Sequence, residues 1–223
     1  MMTNLFSVFD PTTSMNLSMN WISMIILLTI IPMKMWIIPN NMNFMMIKLI
    51  YNLYKEYKII IYNKTNNHII LMFISIFIFI MINNFMSLFP YIFNNTAHIS
   101  INLTLSLPIW MMMMMFGWLM KTNHMFTHLV PQGTPNLLIP FMVFIESISN
   151  MIRPITLMIR LTANMIAGHL LLTLLGNMGP KLNFLFLPML IFTRTILLML
   201  ESAVSMIQAY VFAILITLYF SEI

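Results

Sequence analysis

The sequence predicts an all-α, polytopic helical membrane protein built as a single membrane domain over residues 1–223. Three observations carry that expectation. The chain is 61% hydrophobic and only 7% charged, whereas an average soluble domain is roughly 25% charged. A water-soluble globule cannot cover its surface with so few charges. The apolar residues fall in runs of membrane-spanning length, near twenty residues each. The polar residues inside the last runs recur every seven positions, as a helical stripe does.

The elements follow in order. A Ser/Thr/Asn-rich start leads into residues 21–38, a first transmembrane helix containing Pro32. Trp21 and Trp36 stand near its ends, where indoles favour the membrane interface. Residues 39–68 carry Lys48, Lys55, Lys58 and Lys64 against Glu56. Within them Phe44, Ile47, Tyr51 and Tyr54 recur at helical spacing, with Lys48, Asn52 and Lys55 on another side. This reads as an amphipathic helix lying on the membrane surface, its lysines reaching toward water. Residues 69–120 read as a transmembrane pair, 69–89 and 99–120, joined by an uncharged link. The second member contains Pro108 and the methionine run 111–115, and a Pro-rich loop at 121–136 follows. The lysines of 39–68 and Lys121 share one side, which the positive-inside rule assigns to the matrix or cytoplasm, with the amino terminus across the membrane.

Residues 137–220 read as a long helical hairpin. Residues 137–176 and 182–220 are each about forty long, with internal Pro140, Pro154 and Pro188 and no obvious loop except 176–180. At 1.5 Å per residue each would reach ~60 Å, twice the ~30 Å hydrocarbon core. Either each is two helices, or both are strongly inclined.

Several function classes are excluded. With no cysteine, disulfides, thiolate zinc sites and cysteine nucleophiles are ruled out. The five glycines, at 117, 133, 168, 176 and 179, form no phosphate-cradling loop. A net charge of +5 spread over membrane segments makes no nucleic-acid patch. His124 and His128 have the spacing of zinc ligands, but they lack the surrounding HExxH and sit in a Pro-rich loop, so no metal site is expected. The first twenty residues hold Asp10 and no Lys or Arg, so neither a secretory n-region nor an Arg-rich transit pattern is read there. Twenty-eight methionines, with abundant Asn, Ile and Phe, suggest an AT-rich organellar genome that reads extra codons as Met.

Ionisable residues inside a membrane cost ~2.5–3.5 kcal/mol each on insertion scales, so each needs a reason. Glu146, Arg153 and Arg160 are spaced by seven in the first long segment; Arg194, Glu201 and Gln208 are spaced by seven in the second. Seven residues turn about 700°, ~20° short of two turns, so each trio shares a stripe, with Asn150 and Asn164 beside the first. His169 is half a turn out of phase with Arg160. In an antiparallel hairpin, one register brings Arg160 level with Gln208 and His169 level with Glu201. Arginine keeps its charge, and a glutamine carbonyl can hold it without neutralising it. A His–Glu pair can bind and release protons. The plainer alternative is that these residues are interhelical glue, with Arg153 and Arg194 at lipid headgroups.

The stretch IRLTANMIAGHLLL at 159–172 resembles the core motif of subunit a (subunit 6) of the F-type ATP synthases. So do ESAVSMIQAYVF at 201–212 and HLVPQGTP at 128–135, and MMTNLFSVFDP at 1–11 looks like insect-type mitochondrial members. The resemblance implies two long helices steeply inclined in the mitochondrial inner membrane and packed on a rotor ring of c subunits. It implies that Arg160 faces the rotor carboxylates. His169 and Glu201 would form the pair in the half-channel from the intermembrane space, with Asn164 and Gln208 beside the path. Glu146 would belong to the exit half-channel toward the matrix. Arg194 departs from the pattern, since a neutral residue is expected there. The implied partners are the c ring, the peripheral stalk, other membrane subunits and the lipid bilayer. No cofactor, metal or nucleic acid is implied, nor any bond chemistry by this chain itself. The competing expectations are a structural membrane subunit of a respiratory complex without a proton path, and a secondary transporter, for which an internal repeat is missing.

Overall fold

Apolar segments without water nearby must satisfy their own backbone, which a helix does within one segment. A computed structural model describes residues 4–13, 17–30, 38–61, 67–89, 91–130, 135–181 and 183–222. Pro32 and Trp36 of the first expected span, Lys64, Pro90, and Pro131 and Gly133 of the loop lie outside the described residues.

Among the described residues every regular element is helical. A 3-10 turn at Leu5–Phe9 and another at Met19–Ile22 precede α1, Ser23–Ile30. Then come α2 at Asn41–Ile60, α3 at Asn67–Ser87, a 3-10 turn at Asn95–Ala97, α4 at Ile99–Met120 and the short α5 at Thr122–His128. The chain ends in α6, Ile139–Met178, and α7, Leu187–Glu222. Among the described residues four helices are long and apolar enough to cross a membrane: His68–Ser87, Ile99–Met120, Ile139–Met178 and Phe184–Ser221.

Each long C-terminal segment is one unbroken helix, of 40 and 36 residues. Pro140 sits in the first turn of α6, where a missing N–H costs nothing. Pro154 removes an interior hydrogen bond, yet α6 runs through it, with the proline ring itself buried. The hairpin turn expected at 176–180 begins later: α6 continues to Met178, and 3-10 turns at Gly179–Lys181 and Phe184–Phe186 lead into α7. Glycine alone does not end the helix; Pro180, which lacks a donor, does.

Helix α3 lies along α7, α4 lies along α6, and α6 and α7 pack on each other. Their shared core contains Ile70, Phe73, Phe77 and Ile80 of α3, Ile109 and Met113 of α4, Leu157 and Leu161 of α6, and Ala209, Phe212, Ala213 and Ile216 of α7. Helix α2 joins it through Leu53, Tyr57 and the following Ile61. The stripe Phe44, Ile47 and Tyr51 points away from the bundle and is exposed. Helix α2 therefore has two apolar strips, one for the bundle and one turned outward. Lys55 and Lys58 lie over the rings of Tyr51 and Tyr54, at 4.6 and 5.8 Å from the centroids.

Candidate functional site

The seam between α6 and α7 holds the residues that the sevenfold spacing singles out. Gln208 is buried level with Arg160, and its Nε2 donates to the Arg160 backbone carbonyl at 3.2 Å. The expected contact was different: a glutamine carbonyl holding the guanidinium. Arg160 leaves α6 on the exposed side of the seam while Gln208 lies beneath it, so Gln208 meets the main chain. Its own Oε1 is buried without a hydrogen-bond partner. Leu157, Leu161, Val211 and Phe212 complete the walls around Arg160 and Gln208. Asn164, one turn beyond Arg160, is exposed on the same helix.

His169 and Glu201 are neighbours but form no ion pair. Glu201 is buried, and neither carboxylate oxygen has a partner among the described residues. Its side chain lies flat on Gly168, the residue before His169. A Cβ there would meet Glu201 Oε1, with Cδ at 2.6 Å and Cγ at 3.0 Å. Glycine leaves the carboxylate its place, and a methyl there would push the flexible end of Glu201 aside. His169 turns one ring nitrogen to the backbone carbonyl of Ser87 and keeps Nε2 buried and unpartnered. The helix end explains the choice, because the last carbonyls of α3 have no intrahelical donor. Phe9, from the amino-terminal turn, meets the His169 ring edge-on at 6.5 Å.

Glu146 and Arg153 lie two turns apart on α6 and pair at 3.6 Å, and Arg153 stacks on the Tyr219 ring at 4.7 Å. Beside them His128, Asn150 and Trp110 line a cavity of about 40 Å³. Arg194 is exposed and reaches no carboxylate among the described residues. Among the described residues no three His, Asp or Glu stand together as metal ligands.

Sequence reasoning missed a second group. Asn83, Asn84 and Ser87 at the end of α3, Asn94, Asn95 and Thr96 before α4, and Asn102 and Ser106 within α4 are all buried. Asn102 Nδ2 donates to the Thr96 carbonyl at 2.7 Å, and Asn94 Oδ1 accepts from the Ala97 amide at 3.2 Å. Asn95 Nδ2 donates to Ser23 Oγ at 2.9 Å, tying α1 to this turn. The available signal was the adjacent Asn83 and Asn84 inside an otherwise apolar span.

Comparison with known proteins agrees over the full length. The family model described as ATP synthase A chain matches residues 17–221. The chain is 54% identical to ATP synthase subunit a of Drosophila melanogaster over 223 residues, covering all of both chains. It is 56% identical to ATP synthase subunit a of Anopheles gambiae over 225 residues and to that of Locusta migratoria over 224, again covering all of each. An all-α chain with four apolar helices of spanning length, matched end to end by these relatives, belongs to the ATP synthase subunit a family.

Proposed function

We propose that this chain is the proton-translocating stator subunit of an F-type ATP synthase in the mitochondrial inner membrane. In this reading it forms two offset half-channels beside a rotor ring of c subunits and makes no bond itself. The observation that carries it is the order of groups along α6. An exposed arginine, Arg160, stands between two polar centres. Glu146 and Arg153 lie toward the lysine-bearing side, and His169 with the buried, unpaired Glu201 lies toward the other. Nine residues separate Arg160 from His169, about 13 Å along a helix axis.

A rotor carboxylate facing lipid must be protonated, because an ionised group there is not solvated. Opposite Arg160 the ionised form is favoured by the neighbouring cation. A carboxylate moving round the ring thus gives up its proton toward the Glu146 side, passes the arginine charged, and takes a new one from the Glu201 side. Arg160 keeps its own proton and so blocks a direct hop between the two sides. A membrane potential contributes ~2.3 kcal/mol per charge per 100 mV, which sets the direction. The helices α6 and α7, longer than a bilayer is thick, fit this role if they lie steeply inclined against the ring.

The test is Arg160→Ala in the assembled complex reconstituted in liposomes. ATP-driven pumping is expected to vanish while passive proton conduction persists or rises. Pumping that survives the substitution would mean that the stripe serves packing or assembly only.

A further inference from the structure

The amino-terminal turn reaches the acid site from outside the hairpin. Leu5–Phe9 is one 3-10 turn that packs on α6. Its residues divide by side: Leu5 and Phe6 are exposed, while Val8 and Phe9 are half-buried. The Phe9 ring meets the His169 imidazole at 6.5 Å, with 81° between the planes. Two aromatic rings at that separation and angle attract through the edge of one and the face of the other. The turn is itself held at several points. Ser7 N and Oγ both donate to the Asn4 carbonyl, at 3.2 and 2.7 Å. Asp10 Oδ1 accepts from the Thr12 amide at 3.0 Å and its hydroxyl at 2.8 Å. The Asp10 carbonyl accepts from Asn20 Nδ2 at 3.4 Å. The Phe9 carbonyl accepts from His98, whose ring is packed between Trp21 and Phe93 at centroid distances of 5.2 Å each.

The His169 ring has one other fixed point. The nitrogen that faces the Ser87 carbonyl carries the hydrogen, which leaves Nε2, buried and unpartnered, with its lone pair. A single hydrogen bond lets a ring rock about it; a second contact from another direction fixes the plane. Ser87 supplies the first, from the end of α3, and Phe9 the second, from the amino-terminal turn. Among the described residues no other ring meets His169. The Glu201 carboxylate lies on Gly168, the residue before His169, and its oxygens are also unpartnered. Transfer between two such groups depends on their placement, where a shift of ~1 Å can cost about 100-fold.

We propose that Phe9 is a positioning residue for His169, its ring holding the imidazole plane so that Nε2 stays placed for proton transfer to Glu201. The proposal rests on the proton-path reading above and adds the part that the amino-terminal turn plays in it. His169 Nε2 takes a proton from hydronium, leaving water, and the ring becomes imidazolium. Giving that proton to the Glu201 carboxylate restores the neutral ring. Phe9 exchanges no proton; it keeps Nε2 in one place through both steps. Phe6, on the outer side of the same turn, has no such part.

The experiment measures ATP-driven pumping per assembled complex in liposomes. Phe9→Leu keeps apolar bulk without a ring and is expected to lower pumping several-fold. Phe9→Tyr keeps the ring and is expected to pump at close to the native rate, as is Phe6→Ala. Leucine would satisfy mere packing of the turn, so native pumping in Phe9→Leu overturns the proposal. Equal loss in Phe9→Leu and Phe9→Tyr, or in Phe9→Leu and Phe6→Ala, overturns it too. His169→Ala separates the proposal from the reading beneath it. If that variant pumps like the native complex, the proton-path reading falls and the proposal with it. If it loses pumping while Phe9→Leu keeps it, only the proposal falls. Should Phe9→Leu fail to assemble, Asp10→Ala replaces it, since Asp10 is exposed and its loss frees Thr12 and loosens the turn beside Phe9. Pumping is expected to fall in that variant, and a native rate overturns the proposal.

Discussion

At the scale of single residues, Gly168 carries an outcome that its neighbours do not. The Glu201 side chain occupies the space a Cβ would need. Gly168→Ala should therefore displace the carboxylate with little loss of stability, because the atoms it meets are the far end of a flexible side chain; a pumping rate that falls while the temperature of thermal disassembly holds is the expected result. His98 gives a pH dependence. Burial between aromatic rings holds its pKa below the ordinary 6.5, opposed in part by the Phe9 carbonyl. The unfolded turn thus binds more protons than the folded one just below pH 6.5, so the turn loses stability as pH falls through that range. Faster amide exchange at residues 95–98 on acidification, abolished in His98→Gln, is the expected result. Asp10 acts lower. The Thr12 amide and hydroxyl hold its carboxyl below 3.8, so its contribution is lost only under stronger acid.

At the scale of elements, helix α2 is tied to α7 by a hydrogen bond, Tyr210 Oη donating to Glu56 Oε2 at 3.1 Å. Beside it Tyr57 is fully buried, and burial together with Tyr210 and Glu56 pushes its phenol well above the usual value. Tyr210→Phe should loosen α2 by about 0.5–1.5 kcal/mol, at the low end because the bond is exposed. Glu56→Gln keeps an acceptor and should lose less; hydrogen exchange across α2 distinguishes the two. How far these elements were legible depends on what encodes them. The long helices are written in apolar length, and the level placement of Arg160 and Gln208 in the spacing of seven. The orientation of Gln208 toward main chain was not legible, because it depends on which side of the seam Arg160 leaves. Nor was the turn of His169 to Ser87, since a free helix-end carbonyl on α3 is visible only once α3 and α6 are packed. The buried asparagine cluster was hidden by composition. In a chain where Asn is common, Asn83 and Asn84 do not stand out until their burial is known.

At the scale of the whole molecule, the outward surface divides by chemistry. On the proposed function the lysines of α2 and Lys121 face the matrix, so a membrane-impermeant amine reagent should modify them in inverted inner-membrane vesicles and spare them in mitoplasts. The reverse pattern would invert the assignment of both half-channels. Around Arg160 the exposed face of the hairpin is mostly apolar, with Ile152, Ile155 and Ile159 on α6 and Met199, Leu200, Met206 and Ile207 on α7, while Thr156 and Asn164 are its polar members on α6. Its apolar members form no directional bonds with whatever moves along them, and methionine yields to irregular shapes with little resistance. On the proposed function this patch is a bearing. Friction against the ring stays low along the apolar track, and the moving surface is gripped by charge at the guanidinium.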